Sequence, residues 1–235
     1  MKKQKEKKDR LRGRGFGILT GILKIFIRKP KFVYIGEEIK EGSIILSNHV
    51  GKSAPLTYEL YLKTPFRFWG AHEMNDGLKA LYKYQSEVFY HQKQHWNIHA
   101  ARAFCLIAAP LTYIFYKGLN LISTYKDARC KYTIQESVKT LKKNRSVLIF
   151  PEDSTEGYFD TLRGFFPGFV LLSRTCLKKG IDVPIYVTYF RKKDKTVIVD
   201  KPIMFSQLVA EGKSQEEIAQ QLCDRANIIK DYNGK

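Results

Sequence analysis

The sequence predicts an α/β fold, a mixed and mostly parallel sheet flanked by helices, within 235 residues. Short apolar runs typical of strands alternate along the chain with helical patterns, as in proteins whose helices cover a sheet. Two of these runs end in polar, Pro-containing segments, the place where open α/β sheets carry their chemistry. A hydrophobic content of 44% supplies enough apolar side chains for one core.

Seven runs have the length and composition of strands: Phe32–Ile35, Ser43–Ser47, Phe66–Gly70, Leu119–Ser123, Ser146–Phe150, Val183–Tyr189 and Thr196–Asp200. Between them, apolar residues recur at helical spacing in Pro55–Lys63, 131–143, Gly168–Lys179 and Ser214–Ile229. The last of these helices begins with Ser214 and Glu217 in the spacing of a capping box.

The N-terminal region is basic and then apolar. Eight basic and two acidic side chains lie in the first 14 residues, and Phe16–Ile27 is apolar apart from Lys24. This apolar stretch is shorter than the roughly 20 residues that span a bilayer, and no small-residue cleavage site follows it. We therefore expect an interfacial amphipathic helix bordered by basic residues. A helix docked on the core is the alternative.

Composition also indicates domains and partners. We expect residues 1–31 to form the basic tail and its helix, and residues 32–235 to form a single domain. The formal net charge of +18 implies an anionic partner. No zinc-finger spacing or RNA-binding sheet motif is present, so we expect anionic membrane lipids and no nucleic acid. Four widely spaced cysteines indicate a reducing compartment. Together these features predict a peripheral protein on the cytoplasmic side of the cell membrane.

The most apolar segment is Ala103–Tyr116, bracketed by Arg102 and Lys117 and containing Pro110. It is too short to span a bilayer unaided. We expect a buried core helix here, and a helix inserted shallowly in a membrane is the alternative.

Two strand-end segments carry the chemistry. Ser47-Asn48-His49-Val50-Gly51-Lys52-Ser53-Ala54-Pro55 follows Ile44–Leu46, and Phe150-Pro151-Glu152-Asp153-Ser154-Thr155 follows Val147–Ile149. They resemble the NHxxxxD and FPEGTRS signatures of the glycerolipid (lysophospholipid) acyltransferase superfamily. Three further segments fall in the order of that family's other blocks: Gly118–Ser123, Phe166–Phe169 and Val183–Val187. The resemblance covers about residues 44–190.

This resemblance implies transfer of a fatty acyl group from a thioester to a hydroxyl of a glycerolipid or lysophospholipid, in a bacterial protein. A hydroxyl is a weak nucleophile at neutral pH and needs a base within hydrogen-bond reach; His49 is the candidate. Peptide N–H groups near residues 51–56 are candidates for the oxyanion. The expected substrate-binding residues are Asn48, Lys52, Ser53, Glu152, Asp153, Ser154 and Thr155. No cofactor is expected; acyl-CoA or acyl-carrier protein is the co-substrate.

The chain departs from both signatures. Ala54 stands where the family has the Asp that orients the catalytic imidazole, and loss of such a carboxylate costs on the order of 10⁴ in turnover in serine proteases. Three explanations are open: a divergent branch that orients His49 with another group such as Glu59, a catalytically impaired lipid-binding relative, or an engineered inactive variant. We favour the first.

The phosphate-binding positions differ as well. Asp153, Ser154 and Thr155 replace the Gly, Thr and Arg that follow FPE, and the second block has Thr124 or Tyr125 in place of an Arg. Lys52, Lys126 and Arg163 are candidate substitutes. A loop without these Arg side chains is a poor phosphate cradle, so we predict an acceptor other than a simple phosphomonoester.

His91, His95 and His99 fall at i, i+4 and i+8, a spacing that would align them on one helical face. No Cys or carboxylate completes a ligand set in the sequence. We therefore expect no metal site.

Overall fold

The computed structural model describes residues 14–152 and 157–234. The strands of the described chain form one sheet: β1 (Lys31–Tyr34), β2 (Ile44–Ser47), β3 (Phe66–Ala71), β4 (Ile122–Thr124), β5 (Ser146–Ile149), β6 (Pro184–Arg191), β7 (Thr196–Val199) and β8 (Ile203–Met204). Its α-helices are α1 (Arg14–Phe26), α2 (Ser53–Tyr61), α3 (Leu78–Lys83), α4 (Ile98–Leu119), α5 (Cys130–Lys142), α6 (Gly168–Leu177), α7 (Phe205–Ala210) and α8 (Gln215–Ile229). A 3₁₀ turn at His72–Met74 and a π-helix at Tyr84–Lys93 complete the set.

The sheet is mixed and mostly parallel, which confirms the predicted fold class. Its order is β1-β7-β6-β2-β5-β3-β4, and β8 pairs with β6. Strand β2 lies between β5 and β6 and is parallel to both, whereas β6 and β7 are antiparallel. A strand inside a parallel sheet is covered on both faces. This explains why the whole of Ile44–Ser47 is buried.

The chain divides into two compact units. Of the described residues, one unit contains 14–27 together with Gly70–Ser123, and the other contains Arg28–Trp69, 124–152 and 157–234. The first unit therefore contains α1, α3, the π-helix and α4. The second holds most of the sheet with the remaining helices. The division expected from the sequence, a tail and helix over residues 1–31 and a single domain over residues 32–235, stays a prediction.

Most element boundaries lie close to the predicted ones. The capping box of α8 is present: Ser214 Oγ accepts a hydrogen bond from the Glu217 peptide N–H (3.1 Å), and the Ser214 N–H donates to the Glu217 carboxylate (2.8 Å). The strand predicted at Leu119–Ser123 is displaced to β4, because α4 continues through Leu119 and ends at Asn120. That residue adopts a left-handed conformation with φ of 53°, as is usual where a helix terminates.

The prediction of a core helix at Ala103–Tyr116 is wrong. Helix α4 buries a stripe of small residues, Ala101, Cys105 and Ala109, whereas large apolar side chains such as Leu106 and Ile107 are exposed. Hydropathy records that a segment is apolar, but it does not distinguish a helix buried all round from one with an exposed face. Among the described residues, α4 is also the helix long and apolar enough to cross a membrane.

Candidate active site

The two signature segments meet at one edge of the sheet. Strands β2 and β5 are parallel neighbours, with Ile44 opposite Val147 and Leu46 opposite Ile149. Their carboxyl ends therefore lie side by side, and each chain leaves the sheet into its polar segment there. The His49 imidazole and the Phe150 ring pack in a T-shaped, edge-to-face arrangement, with 4.8 Å between their centroids. The structure thus brings His49 of the first segment against Phe150, the first residue of the second.

The imidazole of His49 lies against aromatic rings. Besides Phe150, it stacks on the ring of Tyr158, with centroids 5.2 Å apart and planes 11° from parallel. Phe150 is itself stacked on Phe68 of β3 at 5.9 Å, which ties the imidazole to the sheet through a row of rings. The Nδ1 atom of His49 is buried and forms no hydrogen bond with the described part of the chain, although His49 has further interactions through other atoms.

Tyr158 is the site residue that sequence reasoning missed. It lies nine residues beyond the end of β5, and no spacing or motif in the chain marks it. Its position follows from the course of the chain between β5 and α6, which only the fold determines. An aromatic ring stacked on an imidazole restricts the rotation of that imidazole.

A buried hydroxyl network lies beneath the end of β2. The Tyr58 hydroxyl, on α2, is 2.9 Å from Ser47 Oγ and 2.6 Å from Thr188 Oγ1, and Thr188 donates to the Leu46 carbonyl at 2.9 Å. Tyr58 and Thr188 are fully buried. Burial raises the pKa of Tyr58 to about 12, so this phenol stays neutral and bridges α2, β2 and β6.

Asn48 is held by the backbone of β6. Its side-chain N–H donates to the Phe190 carbonyl at 3.0 Å, and its side-chain oxygen accepts from the Phe190 N–H at 2.7 Å. Asn48 is almost completely buried. This amide pair fixes the chain immediately before His49, and the predicted contact of Asn48 with substrate remains a prediction.

Helix α2 begins at Ser53, four residues after the motif histidine. Ala54 is completely buried, so position 54 presents a methyl group where the family signature has a carboxylate. Lys52 is exposed and Ser53 is half-buried. Glu59, the suggested replacement for the missing carboxylate, is half-buried on the same helix.

Several peptide N–H groups of this stretch already have partners. Gly51 donates to the His49 carbonyl at 3.0 Å, Ser53 to the Val50 carbonyl at 3.0 Å, and Leu56 to the Lys52 carbonyl at 3.3 Å. Pro55 has no N–H. Within the described part of the chain, the peptide N–H groups of Lys52 and Ala54 remain candidates for binding an oxyanion.

Glu152 is a buried carboxyl beside the histidine. It is 8% exposed and accepts a hydrogen bond from the peptide N–H of His49. Burial raises the pKa of Glu152 to about 7, and this peptide N–H offsets part of the rise because it stabilises the charged form. A single β-bridge to Phe165 holds its backbone. A buried carboxyl with a raised pKa therefore lies at the same edge of the sheet as the His49 imidazole.

The three residues predicted after Glu152 as substrate ligands, Asp153, Ser154 and Thr155, lie outside the described residues. Of the basic side chains considered for a phosphate, Lys52 and Lys126 are exposed, and the Arg163 guanidinium lies 4.2 Å from the centre of the Phe159 ring. The candidate site as described is thus built from an imidazole, a buried carboxyl and aromatic rings.

The alternative of a histidine metal site does not match the geometry. The π-helix ends at Lys93 and α4 begins at Ile98, so His91, His95 and His99 do not share one helical face. His91 instead bonds through Nδ1 to the Trp96 backbone carbonyl at 2.8 Å. No group of three or more His, Cys, Asp or Glu side chains within residues 14–152 and 157–234 is placed to hold a metal ion.

Comparison with known proteins gives a likeness of fold. No protein-family model and no curated protein matches the sequence. Among solved structures, the chain is similar to the 1-acyl-sn-glycerophosphate (LPA) acyltransferase PlsC from Thermotoga maritima, with a TM-score of 0.51 and 14% identity. The match covers 94% of this chain and 81% of that one. At such low identity it shows a shared acyltransferase-like fold, and the reaction has to be argued from the site.

Proposed function

We propose that this protein transfers a fatty acyl group from an acyl thioester to a hydroxyl of a glycerolipid or lysophospholipid at the membrane surface, with His49 as general base. The observation that carries the proposal is the meeting of His49 with the Phe150–Glu152 segment at the carboxyl ends of β2 and β5. The likeness to the fold of an acyltransferase supports the same class of reaction.

In the proposed reaction, His49 accepts the proton of the acceptor hydroxyl while the hydroxyl oxygen attacks the thioester carbonyl. The tetrahedral oxyanion is stabilised by peptide N–H groups at the start of α2, where Lys52 and Ala54 are the candidates. Collapse of this intermediate breaks the carbon–sulfur bond, and the thiolate takes the proton from the imidazolium. The products are the acylated lipid and the free thiol of CoA or acyl-carrier protein.

Glu152 is proposed to position the acceptor. Burial raises the pKa of its carboxyl to about 7; the protonated form is able to donate a hydrogen bond to a lipid hydroxyl, and the ionised form is able to accept one. The unmatched Arg positions, at Thr155 and at Thr124 or Tyr125, support an acceptor other than a simple phosphomonoester. Preferential use of lysophosphatidate or glycerol 3-phosphate over neutral lyso-lipids would overturn this part of the proposal.

The test is release of free thiol from acyl-CoA, and separately from acyl-carrier protein, in the presence of lyso-lipid vesicles. Wild-type protein is expected to release thiol in proportion to acylated lipid. The His49→Ala variant is expected to lose this release while keeping its circular dichroism spectrum and melting temperature. Unchanged turnover in a folded His49→Ala protein would end the mechanism.

A second candidate function is lipid binding without turnover, which the buried methyl group at position 54 favours. It predicts that the wild-type protein binds acyl chains or phospholipid but releases no thiol from either donor. The same assay, combined with a lipid-binding measurement, therefore separates the two functions.

A further inference from the structure

Helix α4 has two different faces. Its buried stripe consists of small residues, Ala101, Cys105 and Ala109, spaced four apart. An exposed stripe follows helical spacing on the other side, and its members are large and apolar: Phe104, Ile107, Leu111 and Ile114. We call this second set the α4 stripe. A row of four large exposed apolar side chains on one helix marks an interaction surface.

Helix α1 extends this surface. Phe115 and Gly118 lie one helical turn beyond Leu111 and Ile114 along α4, and Phe16 packs against them, with 5.7 Å between the Phe16 and Phe115 ring centroids. A side chain at Gly118 would overlap the Phe16 ring, so the glycine permits this close approach. Helix α1 then presents its own exposed apolar row: Ile18, Ile22, Ile25 and Phe26.

The charges of both helices favour an anionic lipid surface over a protein partner. Neither α1 nor α4 contains an Asp or Glu. Their charged residues within or next to the apolar rows are basic, including Lys24, Lys117 and the Arg28-Lys29 pair that follows α1. Apolar rows edged by cations are typical of helices that lie in the headgroup region of anionic membranes.

The packing of α4 argues against a transmembrane orientation, although its length and composition permit one. Side chains of α4 make polar contacts to the π-helix: Gln85 donates to Thr112 Oγ1 at 2.8 Å, and the exposed Arg102 pairs with Glu87 at 3.3 Å. The π-helix also exposes His91 and Lys93. A spanning α4 would carry these ionisable groups into the hydrocarbon, which is costly.

We propose that the α4 stripe and the apolar row of α1 together insert into one leaflet of an anionic membrane, with α4 parallel to the membrane plane. This deepens the membrane-surface part of the proposed function, but the insertion does not depend on turnover. The buried side of α4 stays with the protein, and the basic residues meet lipid headgroups. The helix expected in the core is therefore a membrane-binding element.

The test is flotation of the full chain with vesicles of phosphatidylglycerol and phosphatidylcholine. Ile107→Asp is expected to weaken partitioning by about tenfold or more, because transfer of one Ile side chain from water is worth at least that factor. The matched control is Ile228→Asp on α8, since Ile228 is 75% exposed and Ile107 is 73% exposed. The control is expected to bind as wild type does, and pure phosphatidylcholine vesicles are expected to bind less of every variant.

Depth is measured with Ile107→Trp and lipids brominated at successive positions along the acyl chain, with the wild-type protein as background. Insertion parallel to the membrane predicts the strongest quenching near the headgroups. Strongest quenching at the bilayer centre would overturn the orientation. Undiminished flotation of Ile107→Asp would refute membrane binding by the α4 stripe. If that variant instead dissociated an oligomer, the stripe would be an interface with a second copy of the chain. Absence of thiol release with intact flotation would count only against acyl transfer.

Discussion

The buried carboxyl of Glu152 makes a quantitative prediction about pH. Burial raises the pKa of Glu152 to about 7 from an ordinary value of 4.5. Replacement by Gln keeps the shape of the side chain and removes its titration. The difference in unfolding free energy between wild type and Glu152→Gln should therefore depend on pH, and only within the interval in which Glu152 loses its proton.

The sign follows from proton binding. Between about pH 4.5 and 7 the folded state holds the Glu152 proton more tightly than the unfolded state does, so stability falls as pH rises through this interval. One pKa unit corresponds to about 1.4 kcal/mol, which limits the effect to about 3 kcal/mol. We expect the wild type to lose about 1–3 kcal/mol relative to Glu152→Gln between pH 5 and pH 8.

The assay is urea unfolding of both proteins at pH 5, 6, 7 and 8. Carboxyls with lowered pKa values, such as Glu136 and Asp194, act with the opposite sign but are common to both proteins and cancel in the difference. Glu41→Gln, at an exposed turn position, serves as the control and should follow the wild type. Parallel pH curves for wild type and Glu152→Gln would refute the reasoning.

Substitutions at three further positions probe the site and the helix pair. Tyr58→Phe removes a fully buried hydroxyl bonded to Thr188 and should lower the unfolding free energy by about 1–3 kcal/mol. In the thiol-release assay, Tyr158→Ala should lower turnover by up to about tenfold, the value of one aromatic pair, whereas Tyr158→Phe should retain most of it. Gly118→Ala should force Phe16 from its position at a cost of about 1–3 kcal/mol, which hydrogen exchange in α1 would detect.

Each of these has an outcome that counts against it. An unchanged urea midpoint for Tyr58→Phe would mean that the network does not hold the end of β2. Equal losses in Tyr158→Ala and Tyr158→Phe would assign the effect to the hydroxyl instead of the stacked ring. Unchanged exchange in α1 of the Gly118→Ala protein would show that the two helices are not held by this contact.

The sheet and the meeting of the two motifs were predictable from the sequence. Runs such as Ile44–Leu46 and Val147–Ile149 are apolar throughout, which is typical of strands covered on both faces. Polar segments at the ends of such strands are expected at one sheet edge. His49 and Glu152 could therefore be placed at the same site because this inference needs only local pattern and the general rule for open sheets.

The surroundings of those residues depend on contacts between distant parts of the chain. The amide of Asn48 bonds to Phe190, the phenol of Tyr58 to Thr188, and the ring of Tyr158 stacks on His49. Such contacts are set by how strands and loops are arranged in space, and no spacing along the chain encodes them. The raised pKa of Glu152 belongs to the same class, because burial is a property of the folded surroundings.

Local pattern determined where the strands lie and which side chains stand at their ends, because hydrophobic periodicity is a property of neighbouring residues. The tertiary structure alone decided what covers each face. It packed two aromatic rings against the candidate base, one stacked and one edge on, it buried the methyl group at position 54, and it left one side of α4 exposed. An apolar helix is equally compatible with a protein core and a lipid surface. In α4 the small-residue face is buried and the large apolar side chains are exposed, and only the tertiary packing shows this.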